Sequence, residues 1–434
     1  MREEIEMTIS RRRLIELGLA SSAAAIVGVT GFPGILRAAS KRVVVVGGGV
    51  GGATAAKYVK IFDPSAEVTL IEPSKEFYTC FMSNEVIGGI RDINTLKFGY
   101  DGLAKRGIKV VHATATAVDG AGKKVTLDAG EALSFDACIV SPGVALNFDK
   151  IAGYSEAATD KIPHAWKAGP QTLLLKKQLE EMPDGGVFII SAPPDPFRCP
   201  PGPYERASLA ANFFKQKKPK SKVLILDAKD KFAKQGLFIA GWKKLYGDMI
   251  EWVPVSKEGA VKRIDIANMT VFAGELEGEH KGAVINIIPP QSAGKVAVDS
   301  GLANDKGWCP VNPATFESTI HKGVYVIGDA SSASPMPKSG YSANSQAKVC
   351  ASAVVSALNG TQPPTPAYTN TCYSLVAPDY GVSVAAVYKM NGDKLEAVKD
   401  AGGTAPAEAS DEFRRREVIY GHSWFTNVTD DIFS

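Results

Sequence analysis

Six cysteines and a run of glycines are the residues of this 434-residue chain whose types and spacing bear most directly on chemistry. Gly47-Gly48-Gly49-Val50-Gly51-Gly52 contains GxGxxG at Gly47, Gly49 and Gly52, directly after Arg42-Val43-Val44-Val45-Val46. Four consecutive valines read as a strand buried on both faces. Ala53 to Phe62 read as a helix, and Val68-Thr69-Leu70-Ile71 as a second strand ending at Glu72. The three glycines then serve a tight turn, close approach to a pyrophosphate, and close packing of helix on strand. The helix N-terminus offers N–H groups to the diphosphate, and Glu72 is placed to accept from ribose hydroxyls. The chemistry is dinucleotide binding.

The cysteines carry a second possibility, thiol–disulfide exchange. Cys199 stands in a proline-rich loop, Arg198-Cys199-Pro200-Pro201-Gly202-Pro203, an unusual place for a structural thiol. Cys80 follows the second strand in Tyr78-Thr79-Cys80-Phe81, and Cys372 stands in Asn370-Thr371-Cys372-Tyr373. Cys138, mid-strand, and Cys350, in a helix of alanines and valines, read as core thiols, while Cys309 has no assigned role. Six cysteines allow fifteen complete pairings, and spacing chooses none of them.

The elements that must position these residues repeat the first pattern with one change. Leu173–Leu179 reads as a helix, Gly186-Val187-Phe188-Ile189-Ile190-Ser191 as a strand, Ala207 to Phe214 as a helix and Lys222–Asp227 as the next strand. Where a second GxGxxG would open that unit, the chain reads Ala192-Pro193-Pro194-Asp195-Pro196-Phe197. Proline lacks an N–H, so this loop cannot offer a row of backbone donors to a pyrophosphate. The fold is expected to be kept and its nicotinamide site lost. Phe135-Asp136-Ala137-Cys138-Ile139-Val140-Ser141-Pro142-Gly143 and Gly323-Val324-Tyr325-Val326-Ile327-Gly328-Asp329-Ala330 resemble later motifs of the disulfide-reductase-like flavoproteins. That resemblance implies FAD, with Gly143 and Gly328 beside it and Asp329 on its ribityl chain.

The expected fold class is α/β: two Rossmann-like dinucleotide-binding domains and a C-terminal α+β interface domain. The expected divisions are a signal at 1–39, an FAD-binding domain at 40–155 and 291–360, a second Rossmann-like domain at 156–290, and the interface domain at 361–434. Ser10-Arg11-Arg12-Arg13 precedes a moderately apolar stretch from Leu14 to Leu36, then Arg37-Ala38-Ala39-Ser40. This order reads as a twin-arginine export signal and predicts a periplasmic protein. The competing reading, a membrane anchor, is weakened by its glycines, serines and Pro33. A formal charge of +3 excludes nucleic acid as the main partner. His112, His164, His280, His321 and His422 share no metal-ligand spacing and read as surface or capping residues. Lys215-Gln216-Lys217-Lys218 reads as a solvated helix end, with a cytochrome-docking patch as the alternative.

Four blocks together resemble one family, the flavoprotein subunit of flavocytochrome c sulfide dehydrogenase. They are Tyr78-Thr79-Cys80 with Ser83-Asn84-Glu85, Arg198-Cys199 through Glu205-Arg206, Pro337-Lys338-Ser339-Gly340-Tyr341-Ser342, and Asn370-Thr371-Cys372-Tyr373-Ser374. The resemblance implies FAD linked through the sulfur of Cys80, and a redox-active Cys199–Cys372 disulfide. Lys338, Ser339 and Gly340 would open a helix facing the flavin. Glu205 is the candidate proton acceptor, with a surface ion pair to Arg206 as its alternative. Sulfide would be the substrate, and electrons would pass to a separate cytochrome c subunit, since this chain has no Cys-x-x-Cys-His. A sulfide:quinone oxidoreductase is the rival enzyme; the tail from Arg414 to Ser434, read as short and polar, speaks against its membrane device. A flavin-binding redox or assembly module without turnover is the rival from another class.

Overall fold

The run Val43–Val46 is buried because it is paired on both sides. Its strand, Arg42–Val46, lies in register between Glu67–Ile71 and Ala137–Val140. The computed structural model describes residues 41–434, so the expected signal at 1–39 lies outside the described residues. The full sheet is parallel, in the order Val324–Val326, Ala137–Val140, Arg42–Val46, Glu67–Ile71, Lys109–Val111. The helix Val50–Phe62 follows the glycine turn and packs against the helix Gly340–Asn359.

A second parallel sheet runs Ile250–Val253, Lys222–Asp227, Val187–Ala192, Val284–Ile287. Its first helix spans Gly202–Lys217, five residues longer at its start than Ala207 predicts. Pro203 is tolerated in that first turn, where a helix has no use for the missing N–H. Three antiparallel strands, Ala367–Ala377, Tyr380–Asn391 and Lys394–Thr404, make the C-terminal sheet. Its hairpin spans two cores. Tyr368 and Tyr388 join the apolar cluster of the first sheet, while Val376, Tyr380 and Val382 join that of the second.

The C-terminal tail departs from the sequence reading. It is the 23-residue helix Asp411–Phe433, and it is amphipathic: Val418, Gly421, Phe425, Val428 and Ile432 are buried. Most of its charges, Asp411, Glu412, Arg415, Arg416 and Asp430, lie on the exposed face, while Arg414 and Glu417 are buried, so composition made the segment look merely polar. The apolar face packs on the protein itself, against the C-terminal strands and the helix Val50–Phe62. No helix among the described residues is long and apolar enough to cross a membrane. His164 is a second departure: it is 6% exposed, its Nδ1 accepts from Trp166 N at 2.8 Å, and burial lowers its pKa to about 3.

Candidate functional site

The glycine turn is built as a cradle. Gly47 has φ +97°, and a Cβ there would lie 2.4 Å from the Ser141 carbonyl oxygen. A Cβ on Gly52 would lie 1.8 Å from the Gly47 oxygen, so helix and strand approach only because it is absent. Gly49 precedes the helix with no side-chain cap, which leaves the N-terminal N–H groups to a ligand. Glu72 Oε2 accepts from Gly48 N at 2.8 Å and Oε1 from Ser74 N at 3.0 Å. Each oxygen keeps a lone pair for a hydroxyl. A cavity of about 390 Å³ opens here between Gly47, Glu72, Pro142 and Lys295.

The turn after Val324–Val326 brings Gly328 (φ +73°) and Asp329 against the helix Gly340–Asn359. Gly328 N donates to Gln346 Oε1 at 2.8 Å. Asp329 Oδ1 is buried with no hydrogen-bond partner, and burial pushes its carboxyl up against the pull of Arg198 and Lys338. An orphaned buried carboxylate oxygen calls for a donor, and a polyol chain supplies one. Gly143 (φ +65°) stands open, with nothing near its Cβ position. These residues fit a dinucleotide with a hydroxylated chain beyond its diphosphate.

Lys338 ends its side chain on this turn. Its Nζ donates to the carbonyls of Asp329 at 2.7 Å and Ser331 at 3.0 Å, lies 3.7 Å over the Trp308 ring, and is lowered by burial to about 8. Ser339 caps the helix Gly340–Asn359: its Oγ accepts from Ser342 N at 3.0 Å and donates to Asn370 Oδ1 at 2.6 Å. The backbone carbonyl of Lys338 accepts from Cys199 N at 2.8 Å, which ties the proline loop to this helix start.

Three cysteines converge here. Cys80, Cys199 and Cys372 line one cavity of about 130 Å³ with Glu205, Ser339 and Gly340, closed on its apolar side by Phe81 and Trp424. Cys199 is held at φ +58°, and its carbonyl accepts from Gly202 N at 2.9 Å. A Cβ on Gly202 would lie 2.6 Å from the Trp166 ring and 3.1 Å from Cys199 Sγ, so glycine makes the space that the sulfur fills. Cys372 stands mid-strand opposite Val384. All three are free thiols in the structure. Burial first, then the neighbouring Cys372, Glu205 and Cys80, push the Cys199 thiol up, and burial also raises Cys80.

Glu205 Oε2 accepts from Asn84 Nδ2 and Oε1 from Leu375 N, both at 2.8 Å. Burial raises its carboxyl, against these two bonds and the charge of Lys234. The ion pair with Arg206 is not formed. Arg206 turns inward, donating to Asn84 Oδ1, Asn286 Oδ1 and the carbonyls of His164 and Ala165, with its guanidinium over Trp166. Adjacent residues on a helix point about 100° apart, so the two never face each other. Cys138, Cys309 and Cys350 are fully buried in the first sheet's apolar core, and burial pushes Cys309 up to about 12. Among the described residues no cluster could hold a metal ion. Sequence reasoning missed Asn84 as a partner of Glu205, although it stands in the Ser83-Asn84-Glu85 block. It also missed Lys234, which no motif marks.

Loop 193–203 uses its few N–H groups internally: Arg198 N donates to Gln291 Oε1 at 2.9 Å, besides the Cys199 and Gly202 bonds. At the end of Lys222–Asp227, Asp227 accepts from Tyr204 Oη, Trp252 Nε1 and Lys229 Nζ, and Phe232 stacks on Tyr204 at 3.6 Å. These side chains occupy the end of Lys222–Asp227, and a cavity of about 330 Å³ remains beside them between Asp195, Phe197, Lys229 and Phe232.

Three family models match the chain. "Sulfide dehydrogenase [flavocytochrome c] flavoprotein chain, central" covers residues 172–289, "Flavocytochrome c sulphide dehydrogenase, flavin-binding" 364–433, and "Pyridine nucleotide-disulphide oxidoreductase" 41–170. The sulfide dehydrogenase [flavocytochrome c] flavoprotein chain of Chlorobaculum thiosulfatiphilum is 62% identical over 47 residues, 11% of this chain and 98% of that one. The mitochondrial sulfide:quinone oxidoreductase of Mus musculus is 21% identical over 313 residues, 66% of this chain and 65% of that protein, a little under two thirds of its length. Among solved structures, the sulfide:quinone oxidoreductase of Aquifex aeolicus superposes with TM-score 0.72 at 17% identity, covering 90% of this chain and 92% of its own. Putidaredoxin reductase in its covalent putidaredoxin complex gives 0.63 at 16%, covering 87% and 93%. The fold is that of the two-Rossmann flavoprotein reductases.

Proposed function

The chain belongs to the flavocytochrome c sulfide dehydrogenase flavoprotein family, and from that premise we propose that it oxidises sulfide at a Cys199–Cys372 disulfide beside bound FAD. One observation carries the reading: Cys199, Cys372, Cys80 and Glu205 line a single cavity at the capped start of the helix Gly340–Asn359. Gly47, Gly49 and Gly52 would hold the diphosphate, Glu72 a ribose and Asp329 the hydroxylated chain, with the Cys80 sulfur bonded to the flavin's 8-methyl carbon. Bound flavin supplies an acceptor that takes electrons in a pair and releases them singly.

The residues do the rest. HS⁻ forms a bond to one sulfur of the bridge, the S–S bond breaks, and the other sulfur departs as thiolate. Glu205 takes the proton from the new persulfide. Persulfide anion and thiolate then re-form the bridge, releasing zero-valent sulfur and two electrons; a second sulfide carries that sulfur off as polysulfide. Electrons leave to a cytochrome c subunit in a heterodimer, which holds the haem. Arg11, Arg12 and Arg13 ahead of an apolar stretch support export by the twin-arginine route to the periplasm.

The test is anaerobic mixing of the purified protein with sulfide. Flavin absorbance should bleach, Cys199→Ser or Cys372→Ser should stop it, and unchanged bleaching in both would sink the reading. Yellow colour should survive acid precipitation and be released by Cys80→Ala. Native purification should bring a haem spectrum with the flavin, and a periplasmic fraction should contain both. Re-oxidation by a quinone analogue but not by a c-type cytochrome would turn the reading to a sulfide:quinone oxidoreductase.

A further inference from the structure

Lys234 is a buried ammonium without a carboxylate. It is 7% exposed and stands in a left-handed conformation (φ 62°) just ahead of the helix Gln235–Tyr246. Its Nζ donates to Ser374 Oγ at 2.8 Å and the Cys372 carbonyl at 3.0 Å, with the Val382 carbonyl at 3.4 Å and Cys372 Sγ at 3.7 Å. Every one of these partners is neutral. Glu205 feels the charge of Lys234 but gives its oxygens to Asn84 and Leu375. A buried cation is costly until an anion meets it. The neighbour in contact that can become one is the sulfur of Cys372.

Cys199 has different company. Its sulfur lies by Gly202 in a cavity that Trp166 also lines, and burial, then Cys372 and Glu205, disfavour its charge, with Arg198 pulling the other way more weakly. The two ends of a Cys199–Cys372 bridge are therefore unequal as leaving groups, and exchange runs toward the better one.

We infer that Lys234 sets the direction in which the bridge opens: the incoming sulfur bonds to Cys199, and Cys372 leaves as a thiolate against the Lys234 ammonium. The inference rests on the sulfide reading above. In the step, HS⁻ bonds to Cys199 Sγ, the S–S bond breaks, and its electron pair stays on Cys372. The proton remains on the persulfide until Glu205 takes it.

Sulfite tests the direction without sulfide turnover, because it splits a disulfide into one S-sulfonate and one thiolate. Oxidised wild-type holoprotein treated with sulfite, quenched with iodoacetamide and mapped by mass spectrometry should carry the sulfonate on Cys199 and the alkyl group on Cys372. The reverse pattern, an even split, or no cleavable bridge overturns the inference. Lys234→Met should slow flavin reduction by sulfide about ten- to a hundredfold, the loss of one charge-assisted hydrogen bond, and Lys234→Arg should restore most of it. Lys234→Met should also spread sulfonate over both cysteines; wild-type rate and pattern in that variant overturn the inference. Should Lys234→Met not fold, the wild-type map still decides. Wild-type flavin untouched by sulfide, with sulfonate on Cys199, sinks the sulfide reading and leaves the direction standing.

Discussion

Glu205 is a carboxylate in surroundings that disfavour its charge. Burial raises it above the ordinary 4.5, while Asn84, the Leu375 N–H and Lys234 pull it back. A raised acid is protonated over a wider range at low pH and accepts no proton there. Sulfide-driven flavin reduction, corrected for the fraction present as HS⁻, should fall as pH drops through a value above 4.5. Glu205→Gln should abolish that limb and slow the reaction by about a hundredfold or more, the usual scale for a positioned proton acceptor. Stopped-flow absorbance across pH checks both. A limb that persists in Glu205→Gln would assign the proton to another group.

The element on which the cavity depends is the proline loop with the helix it opens. Prolines remove donors from a turn that would otherwise cradle phosphate, and the remaining N–H groups fix Cys199 against the Lys338 carbonyl. Gly202 then decides whether the sulfur has room. Its backbone accepts alanine, but the added carbon meets Trp166 at 2.6 Å and Cys199 Sγ at 3.1 Å. Gly202→Ala should keep its flavin and lose about a hundredfold in the sulfide reaction, because a displacement near 1 Å costs about that much at a reacting centre. Overpacking should also cost about 1–3 kcal/mol, read by urea unfolding.

Across the whole molecule, the C-terminal helix is tied back to the first sheet's helices through Asp431. It accepts from Tyr58 Oη at 2.7 Å, Asn344 Nδ2 at 2.9 Å and Lys348 Nζ at 2.8 Å. Burial pushes its carboxyl up, and the bonds from Lys348, Asn344 and Tyr58 more than reverse this, leaving it below 3.8. A group depressed in the folded state stabilises above its unfolded value, and that stability is lost as pH falls through the folded one. Asp431→Asn should therefore cost about 1–3 kcal/mol at neutral pH, the range for bonds to a charged group. The two urea midpoints should converge below pH 3.8. A constant gap through that range would remove Asp431 from the account.

Local order carried far in the sequence. The valine strand, GxGxxG and Glu72 announced the first dinucleotide unit, since a tight glycine turn between strand and helix has few other uses. The prolines announced a changed second unit, because the missing N–H is a property of the residue itself. Four blocks around Cys80, Cys199, Lys338 and Cys372 marked the family. What sequence left open were contacts between distant segments. Whether Glu205 meets Arg206 or Asn84, whether the tail is a polar end or an amphipathic helix, and what Lys234 touches depend on which strands lie side by side. Lys234 and Cys372 are 138 positions apart, and only the packing of the C-terminal hairpin across two apolar cores brings that ammonium to that sulfur.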